Sequence, residues 1–273
     1  MKDITQSDLT DNIPLCNSID SNWLDDFLFV AGPCTVESQD QMFSIARKLV
    51  SQGVTHMRGG AYKPLTFPYR NDRMYELRER GLRLLHDVKM QFDLKIVSEL
   101  TETKTVDLFQ ECVDVIQIGS RNMYNYELLV VAAKTNKPVL LKRHFGASMR
   151  DWLGAAEYIL NAGNDKIILC ERGITTPHTH SDTTRFISDI QVIPAIKKYT
   201  GLPVIFDPSH ATFDSTIVEP MSYAAVAAGA DGVMIETHPS PENAAVDRLN
   251  CVTPDKCCDI YSNIDKLLSL RLV

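Results

Sequence analysis

The feature that most constrains this chain is a repeat of form rather than of wording. A short apolar run ends in an ionisable residue and is followed by an amphipathic helical stretch, eight times over. The spacing predicts strands at 27–32, 54–58, 95–99, 113–119, 138–142, 166–171, 203–207 and 232–236. It predicts helices near 38–52, 72–92, 103–112, 125–135, 148–162, 186–200, 216–229 and 256–270. Several strands are apolar on consecutive residues, as in Val139-Leu140-Leu141 and Ile167-Ile168-Leu169, which suits parallel strands buried on both faces. Gly53, Gly163, Gly201 and Gly229 fall between a helix and the next strand, where a left-handed cap is expected. Eight such units in 273 residues predict a (β/α)8 TIM barrel, an α/β fold, over 27–273. An open doubly wound sheet is the alternative, but no glycine-rich nucleotide loop of its usual form is present.

Composition narrows the function classes. The formal net charge is −7, which argues against nucleic acid or an anionic membrane as partner. No apolar run approaches the roughly 18–20 residues a membrane span needs. Residues 1–26 are polar and acidic with no hydrophobic signal core. They are expected to form an N-terminal arm or a short lid on the barrel floor, too short for a regulatory domain. Seven cysteines without a framework spacing favour free thiols and a cytoplasmic location. Cys257 and Cys258 read as ordinary helix residues.

In a barrel of this kind the active site lies where the strands end. Those ends carry Cys34, Arg58, Glu99, Arg121, Lys142 with Arg143, Glu171 with Arg172, Asp207 with His210, and Glu236 with His238. Strand ends are where solvent begins, so any one of these could be a solvated rim residue. So many cations on one rim of an acidic protein instead point to a small, highly charged anion, for which arginine's planar fork is suited. Cys34, His210, Glu236 and Asp247 are candidate ligands for one divalent metal. A thiolate with an imidazole suits Zn²⁺, Fe²⁺ or Mn²⁺ better than magnesium or calcium. A buried structural thiol and a loop-capping histidine are the plain alternatives for Cys34 and His210. His178 and His180 read as loop or substrate contacts, His56 as a strand residue and His86 as a helix-surface residue.

These residues sit in ordered phrases: Ala31-Gly32-Pro33-Cys34, Arg58-Gly59-Gly60-Ala61-Tyr62-Lys63-Pro64, and Gln117-Ile118-Gly119-Ser120-Arg121-Asn122-Met123. Leu140-Leu141-Lys142-Arg143, Cys170-Glu171-Arg172-Gly173, Asp207-Pro208-Ser209-His210 and Gly229-Ala230-Asp231-Gly232 continue the series. Together, over about residues 27–250, the chain resembles the short, microbial-type 3-deoxy-D-arabino-heptulosonate 7-phosphate (DAHP) synthases. These share a superfamily with the 3-deoxy-octulosonate 8-phosphate synthases. The resemblance implies an enzyme of the shikimate pathway that condenses phosphoenolpyruvate with a sugar aldehyde and releases phosphate. It carries the metal ligands onto Cys34, His210, Glu236 and Asp247. It carries the phosphoenolpyruvate ligands onto Arg58, Lys63, Arg121, Lys142 and Arg172. Metal-independent relatives carry Asn where Cys34 stands, so the chain is similar to the metal-dependent type. Lys63 is expected to give a proton to the new alkoxide, and Glu99 or Asp207 to hold the attacking water. A homo-oligomer, dimer or tetramer, is the expected assembly.

The departures from the family fall on the acceptor half. After Lys63-Pro64 the family continues Arg-Thr-Ser, where this chain has Leu65-Thr66-Phe67. After Arg172-Gly173 it reads Ile-Arg-Thr-Phe, where this chain has Ile174-Thr175-Thr176-Pro177-His178. Its usual Lys-Arg-Gly after strand five is here Lys142-Arg143-His144. Two arginines expected on the acceptor side are thus missing, and an aldose without a phosphate is one reading. Arg70 or Arg73 binding the phosphate instead is the other. An octulosonate-type synthase, a non-catalytic metabolite-binding barrel and a hydrolytic metalloenzyme are the competing functions. The octulosonate synthases' Lys-Ala-Asn-Arg-Ser phrase is absent.

Overall fold

Eight parallel strands close on themselves in chain order in the computed structural model, so that the last pairs with the first. The structure describes residues 12–19, 23–24, 26–63, 76–177 and 186–270. The strands are β1 (Leu28–Gly32), β2 (His56–Arg58), β3 (Lys95–Glu99), β4 (Val115–Ile118), β5 (Val139–Lys142), β6 (Ile167–Glu171), β7 (Val204–Phe206) and β8 (Gly232–Glu236). The predicted (β/α)8 barrel is therefore the fold, and the doubly wound alternative is excluded by the closed seam.

The helices are α1 (Pro14–Ser18), α2 (Gln39–Val50), α3 (Arg78–Phe92), α4 (Val106–Cys112), α5 (Tyr126–Ala133), α6 (Met149–Asn161), α7 (Val192–Lys197), α8 (Pro208–Thr212), α9 (Ser215–Ala227) and α10 (Pro254–Leu270). Local chemistry sets their starts. Ser38 caps α2 by accepting from the Gln41 N–H, and Ser148 with Asp151 forms a capping box at α6. On α6, Trp152, Leu153, Ala155, Ala156 and Ile159 are buried, the one-sided spacing that packs a helix against a sheet.

Strand alternation sorts the apolar residues into two cores. Leu28, Val30, Val97, Val115, Leu140, Ile168, Cys170, Ile205 and Met234 fill the barrel interior. The opposite faces, including Ala31, Met57, Ile96, Ile116, Leu141, Leu169, Phe206 and Ile235, pack against the helices. Trp23 and Leu24 pack against the interior cluster, whereas α1 lies along α6, with Cys16 fully buried and its N–H donating to Glu157 at 2.7 Å. The described residues of the arm thus meet the barrel wall as well as the interior cluster.

Three expectations are corrected. The helix expected at 186–200 spans only Val192–Lys197, because Ile187 pairs in an antiparallel bridge with Ile174 instead. The stretch 103–112 divides into a 3₁₀ turn, Thr103–Thr105, and α4. Gly53, Gly163 and Gly229 take positive φ, as expected of caps, but Gly201 does not. After α3, where no glycine stands, Asp93 takes the left-handed cap, with φ of 53°. Cys257 and Cys258 lie on α10 as read, and all seven cysteines are free and buried. His56 is in β2 and His86 on α3, the latter half-buried.

Candidate active site at the carboxyl ends of the strands

Following the inward-facing parity up each strand leads from apolar to charged residues. Arg58 is in register with Val97, Glu99 with Gln117, Lys142 with Cys170, and Gly32 with Glu236. Arg172 lies two beyond Cys170 and Asp207 two beyond Ile205. Arg58, Glu99, Gln117, Lys142, Arg172, Asp207 and Glu236 therefore cap the interior core as one ring. Glycine lets parts of this ring approach closely. A Cβ at Gly119 would stand 1.9 Å from Glu99 Oε1, and one at Gly60 2.4 Å from the carbonyl oxygen of Cys34.

The four expected metal ligands meet here. One donor atom each from Cys34, His210, Glu236 and Asp247 lies within 4.8 Å of all the others. Cys34 Sγ donates to Asp247 Oδ2 at 2.7 Å, and His210 Nε2 is 3.2 Å from Glu236 Oε1. Glu236 Oε1 is fully buried without a hydrogen-bond partner, while Oε2 accepts from Asn250 Nδ2 at 2.8 Å. A buried carboxylate oxygen left so, facing an imidazole and near a thiol, fits a divalent ion better than it fits a core.

A local turn aims the candidate ligand His210. Asp207 caps the short helix α8, accepting from the His210 N–H at 3.0 Å, with Pro208 at the first helical position. The same turn brings His210 Nδ1 to 2.7 Å from Asp207 Oδ2. Asp207 Oδ2 is also 2.5 Å from Lys142 Nζ. Burial would raise the Asp207 pKa, but His210 and Lys142 outweigh it and hold the carboxyl well below its usual range. An ionised Asp207 orients the imidazole, leaving Nε2 for the centre. Asp247 sits in a loop with φ of 56°. Burial opposes its charge too, and Lys63 and His210 keep it well below the usual carboxylate range. Burial pushes the Cys34 thiol well up, and Asp247 and Glu236 push the same way.

The cations close over these ligands. Arg58 Nη1 is 3.1 Å from Glu236 Oε1, close but not aligned as a hydrogen bond. Lys63 Nζ is 2.5 Å from Cys34 Sγ and 3.6 Å from Asp247. The Arg172 guanidinium lies 4.3 Å from the Phe186 ring centroid. Arg121, in the 3₁₀ turn Ser120–Asn122 after β4, is exposed on the same rim. Glu99 accepts from Gln117 Nε2 at 3.3 Å.

Not every rim cation serves the ring. Arg143 has the outward parity and is held by Glu171 at 2.9 Å, Asp189 at 2.7 Å and the Ala147 carbonyl at 3.0 Å. His238 is buried, with Nδ1 accepting from the Ser240 N–H. Leu65, Phe67, Arg70, Arg73, His178 and His180 lie outside the described residues. Thr175 is exposed, its N–H donating to the Phe145 carbonyl at 2.7 Å.

Two contributors escaped the sequence reading. Asn250 reaches Glu236 only because a loop returns over 14 residues, and no local pattern signals that. Ser209 Oγ accepts from the Glu236 N–H at 2.9 Å. Its place in Asp207-Pro208-Ser209-His210 was the only available hint.

The model of the DAHP synthetase I family matches residues 22–269. A phospho-2-dehydro-3-deoxyheptonate aldolase of Thermotoga maritima is 43% identical over 221 residues, which cover 81% of this chain and 64% of that protein. The chain thus spans less than two thirds of that relative. A 2-dehydro-3-deoxyphosphooctonate aldolase of Agrobacterium fabrum is 30% identical over 99% of this chain and 96% of its own length. The crystal structure of the DAHP synthase of Thermotoga maritima superposes with a TM-score of 0.83 at 38% identity, covering 90% of this chain and 70% of that one. A truncated form of the Thermotoga enzyme gives 0.81 at 38% identity, covering 89% and 87%.

Proposed function

The chain belongs to the DAHP synthetase I family, and on that premise we propose that it condenses phosphoenolpyruvate with a sugar aldehyde to a 3-deoxy-2-ulosonate, releasing phosphate. The observation that carries the proposal is the convergence of Cys34, His210, Glu236 and Asp247 within 4.8 Å, with Lys63 and Arg58 against them. A thiol, an imidazole and two carboxylates suit a divalent ion, with Mn²⁺, Zn²⁺ and Fe²⁺ the proposed choices. When bound, the ion polarises the aldehyde oxygen as a Lewis acid.

The chain's own residues do the rest. Arg58, Lys63, Arg121, Lys142 and Arg172 are proposed to bind the phosphate and carboxylate of phosphoenolpyruvate. They orient its C3 toward the aldehyde carbon, where the new C–C bond forms. Lys63 gives a proton to the oxygen that becomes the hydroxyl. Positive character at C2 is quenched by water, which passes one proton to a carboxylate beside it; the resulting C2 hydroxyl then becomes the carbonyl as the C2–O bond to phosphate breaks, its proton leaving with the phosphate. Asp207 is engaged on both oxygens by His210 and Lys142, so Glu99 is the better placed of the two to hold that water. Placement of two reactants and preset charge supply much of the rate.

Erythrose 4-phosphate is the leading acceptor. A second reading, an aldose without that phosphate, is supported by Leu65 and Thr175 standing where the family has arginines. Location in the cytoplasm belongs to the same proposal, supported by seven free thiols. No described helix is long and apolar enough to cross a membrane. The proposal keeps residues 27–273 as one catalytic barrel behind an arm of 1–26, in a dimer or tetramer. The stacked Tyr126 and Tyr158 are both exposed, a surface such an assembly could cover. The test is phosphate release from phosphoenolpyruvate with a panel of phosphorylated and free aldoses. Release that requires an aldose is expected. No release with any aldose overturns the reading, and turnover without phosphoenolpyruvate points to a hydrolase.

A further inference from the structure

Asp247 is the one proposed ligand not fixed by a strand end or a helix. It lies midway in a long loop whose base is closed where Thr237 bridges Val252 and the His238 N–H donates to the Val252 carbonyl. Within that loop Asp247 has φ of 56°, in the left-handed region that non-glycine residues adopt uncommonly, aspartate more readily than most. Two residues before it, the Ala245 N–H donates to Glu37 Oε1 at 2.9 Å, across 208 residues of sequence. Glu37 itself stands three residues after Cys34. Its backbone is held at the start of α2, where its N–H donates to Gln41 Oε1 at 3.0 Å and Ser38 caps the helix. One hydrogen bond therefore joins the segment that carries Cys34 to the segment that carries Asp247.

We propose that Glu37 is a positioning residue for the metal centre, tying the Ala245 backbone so that Asp247 keeps its distance from Cys34. The inference rests on the reading of Cys34, His210, Glu236 and Asp247 as metal ligands. Glu37 is not one of the four candidate ligands; its carboxylate accepts the Ala245 N–H and sets the reach of the loop. His238 Nε2 lies 3.5 Å from the same oxygen, a contact at the limit of hydrogen bonding. The tether predicts that an acceptor at position 37 matters, not its charge. It also predicts that removing the donor at 245 has the same effect as removing the acceptor at 37. Ala245→Pro is suited to this, because Ala244 already has φ of −54° and ψ of 138°, the conformation a following proline favours.

The test is Co²⁺ titration of the full chain stripped of metal, read by the thiolate-to-cobalt charge-transfer absorption of Cys34 and by competition with a chelator. Glu37→Ala and Ala245→Pro should each weaken Co²⁺ binding about ten- to a hundredfold, with the double variant no weaker than the single ones. Glu37→Gln, whose amide oxygen accepts the same N–H, should stay within about threefold of the parent. If Glu37→Ala fails to fold, Ala245→Pro decides alone. Parent-like affinity in both Glu37→Ala and Ala245→Pro overturns the tether, as does a Glu37→Gln as weak as Glu37→Ala. A parent chain that shows no thiolate–cobalt band fails at an earlier point, in the metal reading itself.

Discussion

Arg58 reaches past β1 to Glu236 on β8, Nη1 to Oε1 at 3.1 Å, with side chains 5% and 0% exposed. Each neutralises the other where water cannot. Arg58→Ala leaves Glu236 with only His210 and Asn250 against it, so it should destabilise the metal-free chain by about 1–3 kcal/mol. Urea unfolding measures this, and a loss under about 1 kcal/mol would show that the pair is solvated in solution.

Asp207 should matter through its neighbours. Asp207→Asn keeps the shape but weakens the hold on His210 Nδ1 and Lys142 Nζ. Metal affinity should fall about ten- to a hundredfold. The sign of the pH effect follows from a depressed carboxyl: its stabilisation is complete above the unfolded pKa near 4 and is lost only as pH falls toward the much lower folded value. The stability gap between parent and Asp207→Asn should therefore be wide at pH 7 and narrow steadily into the acid range. A gap that stays constant down to strong acid contradicts this account.

Chelation should abolish aldose-dependent phosphate release, with Mn²⁺, Zn²⁺ or Fe²⁺ restoring it. Cys34→Ala should lose metal and keep the fold, since the barrel is closed by strand pairing around it. Circular dichroism and metal analysis of that variant separate the two outcomes, and full activity after chelation rules out the four-ligand centre.

Lys63→Ala should lower kcat by about a hundred- to ten-thousandfold, the usual worth of a positioned proton donor. Because Lys63 also contacts Cys34 and Asp247, bound metal must be measured alongside. A rate loss fully explained by lost metal would assign Lys63 to the centre rather than to proton transfer.

Leu65→Arg should improve the KM for erythrose 4-phosphate by about ten- to a hundredfold, the effect of one charge-assisted pair of roughly 1.5–3 kcal/mol. A parent KM already in the micromolar range, lost on Arg70→Ala or Arg73→Ala, would assign the phosphate to those arginines instead.

The barrel was legible because buried parallel strands write consecutive apolar residues, as Val139-Leu140-Leu141 does. Strand alternation also separates Lys142 from Arg143: one continues the interior parity of Leu140, the other leaves it. The helix expected at 186–200 was misjudged for a tertiary reason. Phe186 lies over Arg172, and Ile187 pairs with Ile174; neither partner can be read from the helical spacing of 186–200 itself. The convergence of Cys34, His210, Glu236 and Asp247, the proposed metal ligands, was legible as residue types at strand ends. The bonds that aim it were not, because Asn250 reaches Glu236 through a loop and Ser209 meets the Glu236 backbone across a strand pair.

Cys34 and Asp247 are separated by 213 residues yet share a hydrogen bond, and the strand before one pairs with the strand before the other. The centre therefore straddles the seam where the first strand meets the last. No partial barrel contains it, so during folding or synthesis it comes into being only when the ring shuts. Capture of an ion at the proposed centre would then favour the closed topology over every chain in which the seam is still open, and a thiolate–cobalt band appearing during refolding would time that closure directly.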